Sequence, residues 1–201
     1  MTTRIGIFGG TFDPIHYGHL AIAEDARSAL NLDRVLFIPT ARQPFKGDRM
    51  VAPAAQRLAM VEHACVDNLA FEPSAIELER PGISYTVTTL ETLAQRLLGD
   101  LFFILGADAL RDLPRWYQVE HMLTLARFVA IGRPDVAVDQ HELGRALPML
   151  ADRLIVLDGP QINLSSTELR QRIAQRRSVR YLMPDSVIDY IEQRSLYREE
   201  V

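Results

Sequence analysis

The stretch Gly9-Gly10-Thr11-Phe12-Asp13-Pro14-Ile15-His16-Tyr17-Gly18-His19 constrains this chain more than any other. A short apolar run, Ile5-Gly6-Ile7-Phe8, precedes it and reads as a buried strand. Leu20-Ala21-Ile22-Ala23-Glu24-Asp25-Ala26 follows and is a good helix former. The order is therefore strand, glycine turn and helix start. Glycines let the backbone approach a ligand closely, and a helix N-terminus presents N–H groups and a positive dipole end. That combination favours a phosphate. On a helical first turn His16 and His19 share a face, so two imidazoles would stand beside a bound phosphoryl group.

Other readings of the turn fit less well. It lacks the Lys-Ser/Thr that closes a Walker-type loop, and it is not G-x-G-x-x-G. Zinc held by His16 and His19 finds no Cys/His partner cluster. An ordinary strand-to-helix turn with two surface histidines would leave the coincidence of Gly-Gly, Asp-Pro and His-x-x-His unexplained.

Apolar runs alternate with helical patterns along the rest of the chain. Strands are expected at 4–8, 34–38, 71–76, 101–105, 127–131 and 154–157. Helices are expected at 17–30, 53–66, 86–97, 107–113, 119–124, 166–175 and 184–192, with a loop and short helix between 133 and 147. Strands apolar on both sides predict an α/β fold: a Rossmann-like parallel sheet with helices on both faces and a small C-terminal helical part. Ligands of such sheets gather at the carboxyl ends of strands, and every notable motif falls there. The 201 residues fit a single domain spanning 1–201, and 48% hydrophobic residues suffice for its core.

Charge and cysteine content narrow the class. A net charge of −4 argues against a general nucleic-acid binder. The one cysteine, Cys65, excludes an internal disulfide and reads as a buried structural thiol on a helix. No apolar run of spanning length occurs, so no membrane role and a cytoplasmic location are expected.

A second motif, Asn163-Leu164-Ser165-Ser166-Thr167-Glu168-Leu169-Arg170, opens a late helix. Ser165 and Glu168 have capping-box spacing, which would account for a capped helix and nothing more. Arg170 lies on the face of the helix start. Arg172, Arg176, Arg177 and Arg180 follow, against the lone acid Glu168. Hydroxyls, N–H groups and a guanidinium converging on one anion favour phosphate binding.

Between these motifs the signals are weaker. Lys46 sits in Gln43-Pro44-Phe45-Lys46, as a phosphate contact or a solvated loop lysine. Arg42, Pro44 and Gly47 point to a loop over residues 40–50 that closes on substrate. Ser84 or Thr86 serves as a helix cap or faces the site. Gly106 and Asp108 end a core strand, where Asp108 meets a ribose or adenine edge or is simply a helix N-terminal acid. Trp116 and Tyr117 offer either core packing or an aromatic stacking surface.

The first motif resembles the signature T/S-F-D-P-x-H-x-G-H of the adenylyl- and cytidylyltransferases, and the second is similar to their I-S-S-T-x-x-R, with Leu164 for isoleucine. Ser84-Tyr85-Thr86, Phe103-Ile104-Leu105-Gly106-Ala107-Asp108, Trp116-Tyr117 and Ser178-Val179-Arg180-Tyr181-Leu182 further resemble bacterial nicotinate-mononucleotide adenylyltransferases, over almost the whole chain. The resemblance implies adenylyl transfer from ATP to nicotinate mononucleotide, giving deamido-NAD and pyrophosphate, with Mg²⁺ on the ATP phosphates and no protein metal site. It implies that His16, His19, Lys46 and Arg170 are catalytic. Gly9, Gly10, Thr11, Phe12, Gly106, Asp108, Ser165, Ser166 and Thr167 would bind ATP, and Thr86, Trp116, Tyr117 and Arg133 the nicotinate. Phe45 departs from the family, where histidine is common. The same chemistry on nicotinamide mononucleotide or another phosphate acceptor, and a non-catalytic nucleotide-binding module, stand as alternatives. Oligomeric state is undetermined by the sequence.

Overall fold

The computed structural model describes residues 2–42, 52–132, 140–160 and 162–198. Six strands form one sheet: β1 (Arg4–Gly10), β2 (Arg34–Pro39), β3 (Phe71–Pro73), β4 (Asp100–Gly106), β5 (Arg127–Gly132) and β6 (Leu154–Asp158). Their order is β3-β2-β1-β4-β5-β6, and every pair is parallel. The order reverses between β1 and β4, which places a ligand crevice outside their carboxyl ends.

Side chains alternate across this sheet into two cores. Ile5, Ile7, Leu36, Ile38, Leu101, Phe103, Phe128 and Ala130 face one layer; Phe8, Val35, Phe37, Phe102, Ile104, Val129 and Ile131 face the other. Burial on both faces is why the strands read as continuous apolar runs. The first layer holds α3 (Thr86–Arg96), α5 (Val119–Leu125) and α6 (Gln140–Ala146). The second holds α1 (Tyr17–Leu30), α2 (Ala54–Cys65), α7 (Ser166–Ala174) and α8 (Asp185–Gln193). The last two are the expected C-terminal helical part.

Three local expectations change. The third strand stops at Pro73; its last ladder bond is Ser74 N–H to Phe37 O (2.9 Å), and Ile76 is buried from a turn instead. The fourth helix divides into α4 (Ala107–Leu110) and a 3₁₀ turn, Leu113–Arg115. Pro114 explains the break, because it has no N–H to donate to the carbonyl of Leu110 four residues earlier. Neither Ser84 nor Thr86 caps α3: Tyr85 holds the N-cap position, and Ser84 instead donates its N–H to Arg42 O (2.9 Å). Cys65 is buried, as its helical setting led one to expect.

Candidate active site

The turn after β1 is gripped by two arginines from distant parts of the chain. Phe12, buried to 1% exposure, sits at φ 49°, a left-handed conformation that a bulky side chain rarely adopts. The carbonyls on either side of it are held by arginines. Arg57 Nη1 donates to Thr11 O (2.7 Å), and Arg170 Nη1 donates to Asp13 O (2.8 Å). Strain of this kind persists only where the surroundings over-determine it.

Beyond the turn, His16 is the N-cap of α1. Its N–H donates to His19 Nδ1 (3.3 Å), and the two imidazoles stack with centroids 3.7 Å apart. The spacing that put both rings on one face therefore brings them into contact. His19 also meets the Phe12 ring edge-on at 5.1 Å, so the buried phenylalanine carries the histidine pair. Gly18 completes this arrangement. A Cβ there would lie 3.0 Å from His16 Nδ1 and 3.1 Å from Cε1, so glycine leaves room for the ring.

The second motif docks on the first. Ser166 Oγ donates to Pro14 O (2.9 Å), and Arg170 Nη2 reaches Thr167 Oγ1 (3.3 Å). Ser165 is the N-cap of α7, accepting the Glu168 N–H at 3.2 Å. The capping box stays half formed, since the Glu168 carboxylate turns instead to Arg172 Nε (3.1 Å). The start of α7 thus lies against the turn carrying His16, at the carboxyl end of β1.

Two residues to which the sequence reading gave no role organise this region. Arg57, 1% exposed, also donates Nε to Ala52 O (3.2 Å) and Nη2 to Thr40 O (2.7 Å). One guanidinium therefore joins the ends of β1 and β2 to the start of α2. Burial holds its pKa below the usual arginine range, partly offset by the negative charges of Asp13 and Glu77. A signal was present: Arg57 shares a helical stripe with Met60 and Val61, which are fully buried. Asp13, 2% exposed, accepts from Tyr197 Oη (2.7 Å) and the Ala52 N–H (3.2 Å) through Oδ1.

The remaining candidates surround the crevice. Gly9, Gly10 and Thr11 run from the end of β1 into the turn, and Thr40 N–H donates to Gly10 O (2.8 Å). Gly106 ends β4 beside them and Asp108 falls in α4. Half-buried Thr86 opens α3, next to Tyr85, whose ring lies 4.8 Å from that of exposed Tyr117. Trp116 is half-buried and edge-on to Phe103 at 6.0 Å, so it is partly core and partly available. Lys46, Phe45 and Arg133 lie outside the described residues, as does most of the segment expected to close. Among the described residues no group of three or more His, Cys, Asp or Glu could hold a metal, and no helix is long and apolar enough to cross a membrane.

A histidine-bearing turn at the switch point of a β3-β2-β1-β4-β5-β6 parallel sheet defines a doubly wound nucleotide-binding protein. Residues 7–172 match the cytidylyltransferase-like family. A probable nicotinate-nucleotide adenylyltransferase of Roseiflexus sp. (strain RS-1) is 56% identical over 194 residues, covering 96% of this chain and 98% of that protein. One of Herpetosiphon aurantiacus is 48% identical, covering 96% and 98%. The solved Plasmodium falciparum nicotinic acid mononucleotide adenylyltransferase complexed with NaAD aligns with a TM-score of 0.77 over 97% of both chains; at 22% identity this likeness speaks for the fold. The chain belongs to the cytidylyltransferase-like family and, within it, to the nicotinate-nucleotide adenylyltransferases.

Proposed function

We propose that this protein transfers the adenylyl group of ATP to nicotinate mononucleotide, giving deamido-NAD and pyrophosphate by direct in-line attack of the acceptor phosphate. One observation carries the reading beyond family membership. Ser166 and Arg170 bond to Pro14 O and Asp13 O, so the two phosphate motifs become one surface. In-line displacement needs grips on both sides of the α-phosphorus, and little else from the protein.

In this reading His16 and His19 stabilise charge that builds on the α-phosphoryl oxygens. Arg170, Thr167 and the first-turn N–H groups of α7 hold the leaving pyrophosphate. Ser165 and Ser166 contribute there mainly through backbone, because their hydroxyls serve the cap and Pro14 O. Lys46 adds a further cation. Gly9, Gly10, Thr11 and Phe12 line the phosphates, and Gly106 and Asp108 the adenosine. Thr86, Trp116, Tyr117 and Arg133 take the nicotinate. Asp13, the buried acid beside the turn, is already engaged with Tyr197 and Ala52, so the donor set fits a Mg²⁺ ion carried by the triphosphate better than one held by the protein. That ion neutralises phosphate charge when bound.

The test is pyrophosphate release from ATP and Mg²⁺, with nicotinate and nicotinamide mononucleotides compared at equal concentration. Fast release with the acid and slow release with the amide is the expected result. Equal rates would keep the chemistry and remove the selectivity. No release with either would overturn the proposal in favour of another acceptor or a binding role.

A further inference from the structure

We propose that Tyr197, near the C-terminus, is a positioning residue for the active site, acting through the buried carboxylate of Asp13. The inference rests on the adenylyl-transfer reading for its kinetic consequence but not for its structural one.

A carboxylate as buried as Asp13 must be hydrogen-bonded or paired. Its Oδ1 accepts from Tyr197 Oη at 2.7 Å and from Ala52 N–H at 3.2 Å, and Arg170 Nη1 lies 4.0 Å from Oδ2. The tyrosine bond is the shortest of these and comes from the far end of the sequence. Asp13 in turn stands between Phe12, in its left-handed conformation, and Pro14, whose carbonyl receives Ser166. His16 is three residues further on. Fixing the Asp13 side chain therefore fixes the turn on which the stacked imidazoles are carried.

The tail is built to deliver this hydroxyl. After α8 the chain turns back through Ser195 (φ 51°) and Tyr197 (φ 62°), and Leu196 N–H bonds to Ile191 O (3.0 Å). Leu196 and Tyr197 pack on the core beneath α1 and α2, and the Tyr197 hydroxyl also lies 3.8 Å from Met60 Sδ. Burial, with the Asp13 bond second, pushes the phenol far above its ordinary range, so it stays a neutral donor at every working pH. A tyrosine that served only to fill the core would not need its one polar atom aimed at the one buried acid of the phosphate turn.

The test compares Tyr197→Phe, which keeps the ring, with Asp13→Asn and the double variant. Tyr197→Phe is expected to lower kcat about 10-fold, with KM for either nucleotide changing less than about threefold, since small misplacement at a reacting centre is felt in the chemical step. In the Asp13→Asn background the same substitution should add little, because the shared contact is already altered. Imidazole NMR supplies a readout independent of turnover: Tyr197→Phe should shift the His16 and His19 resonances and leave His121, on α5 across the sheet, unmoved. A lowered Tm with unchanged kcat and unmoved His16 and His19 signals would overturn the proposal. If the wild type itself proves inactive with these substrates, the imidazole comparison alone decides.

Discussion

Arg170 donates to the backbone carbonyl of Asp13 at 2.8 Å, a bond between residues 157 positions apart. It fastens the second motif to the first through the backbone, with the Asp13 carboxylate 4.0 Å from the same nitrogen. Arg170 is only half-buried, and its second terminal nitrogen stays beside Thr167 Oγ1 at the opening of α7. One arginine can thus hold the turn and still face a phosphate, a geometry for which its planar fork of donors is suited.

The two serines of that motif should separate by experiment. Ser165 caps α7, whereas Ser166 ties the helix to Pro14 O. Ser165→Ala should cost about 1 kcal/mol in urea unfolding, a usual value for a lost cap, and leave kcat within about threefold. Ser166→Ala should cost a similar amount, about 1 kcal/mol for one hydrogen bond, but reduce kcat at least about 10-fold by loosening the two motifs. Equal kinetic effects of the two substitutions would contradict this division.

Gly18 offers a cleaner separation of stability from activity. A methyl group there crowds His16 at 3.0 Å, and His16 cannot yield freely because it is stacked on His19 with ring centroids 3.7 Å apart. Alanine is the better helix former by up to about 1 kcal/mol, a gain that the crowding of His16 offsets, so Gly18→Ala should keep a Tm close to that of the wild type. Its kcat should nevertheless fall at least about 10-fold. A variant as active as the wild type would show that the exact seat of the His16 ring does not matter.

How much of this was legible in the sequence depends on what each residue answers to. The strands were readable because burial on both faces writes itself as an apolar run, and α1 was readable at both ends. The end of β3 was not, since Ile76 is equally apolar in a strand or in a buried turn. The motif residues announced themselves by local pattern, and the structure brings His16, His19, Ser166 and Arg170 together. The roles of Asp13, Arg57 and Tyr197 did not, because the bonds that define them include ones spanning 39, 46 and 184 positions of the chain. No local pattern encodes a carbonyl that waits on a distant turn. Only the place of Arg57 on an apolar stripe hinted that its charge is buried by intent.

Arg57 is accordingly the single side chain whose loss should damage the fold most. Its three nitrogens satisfy the carbonyls of Ala52, Thr11 and Thr40. Arg57→Met would keep much of the volume but remove all three of those hydrogen bonds and one of the two cations near Asp13. Removing one member of a buried charged network commonly costs about 3–5 kcal/mol, and that is the loss expected in urea denaturation. Arg57→Lys should recover only part of it, since an ammonium cannot reach three carbonyls set around a planar fork. A loss under about 1 kcal/mol for Arg57→Met would mean that the hub is dispensable.

Cys65 gives a prediction whose sign follows from burial alone. Burial pushes its thiol up to about 12 from an ordinary value of 9.0. Below pH 9 the thiol keeps its proton whether the chain is folded or unfolded, so the stability it contributes is complete there. Between pH 9 and about 12 the unfolded chain releases the proton while the folded chain retains it. Folding then requires proton uptake, and stability falls as pH rises, by at most about 1.4 kcal/mol per pH unit from this group. Cys65→Ala removes the titration. Its Tm should lie below that of the wild type by a constant amount at neutral pH, where only the lost sulfur contacts count. The gap should then narrow steadily from pH 9 to 11. Parallel Tm profiles over that range would show that the thiol ionises as readily in the folded protein as in the unfolded chain.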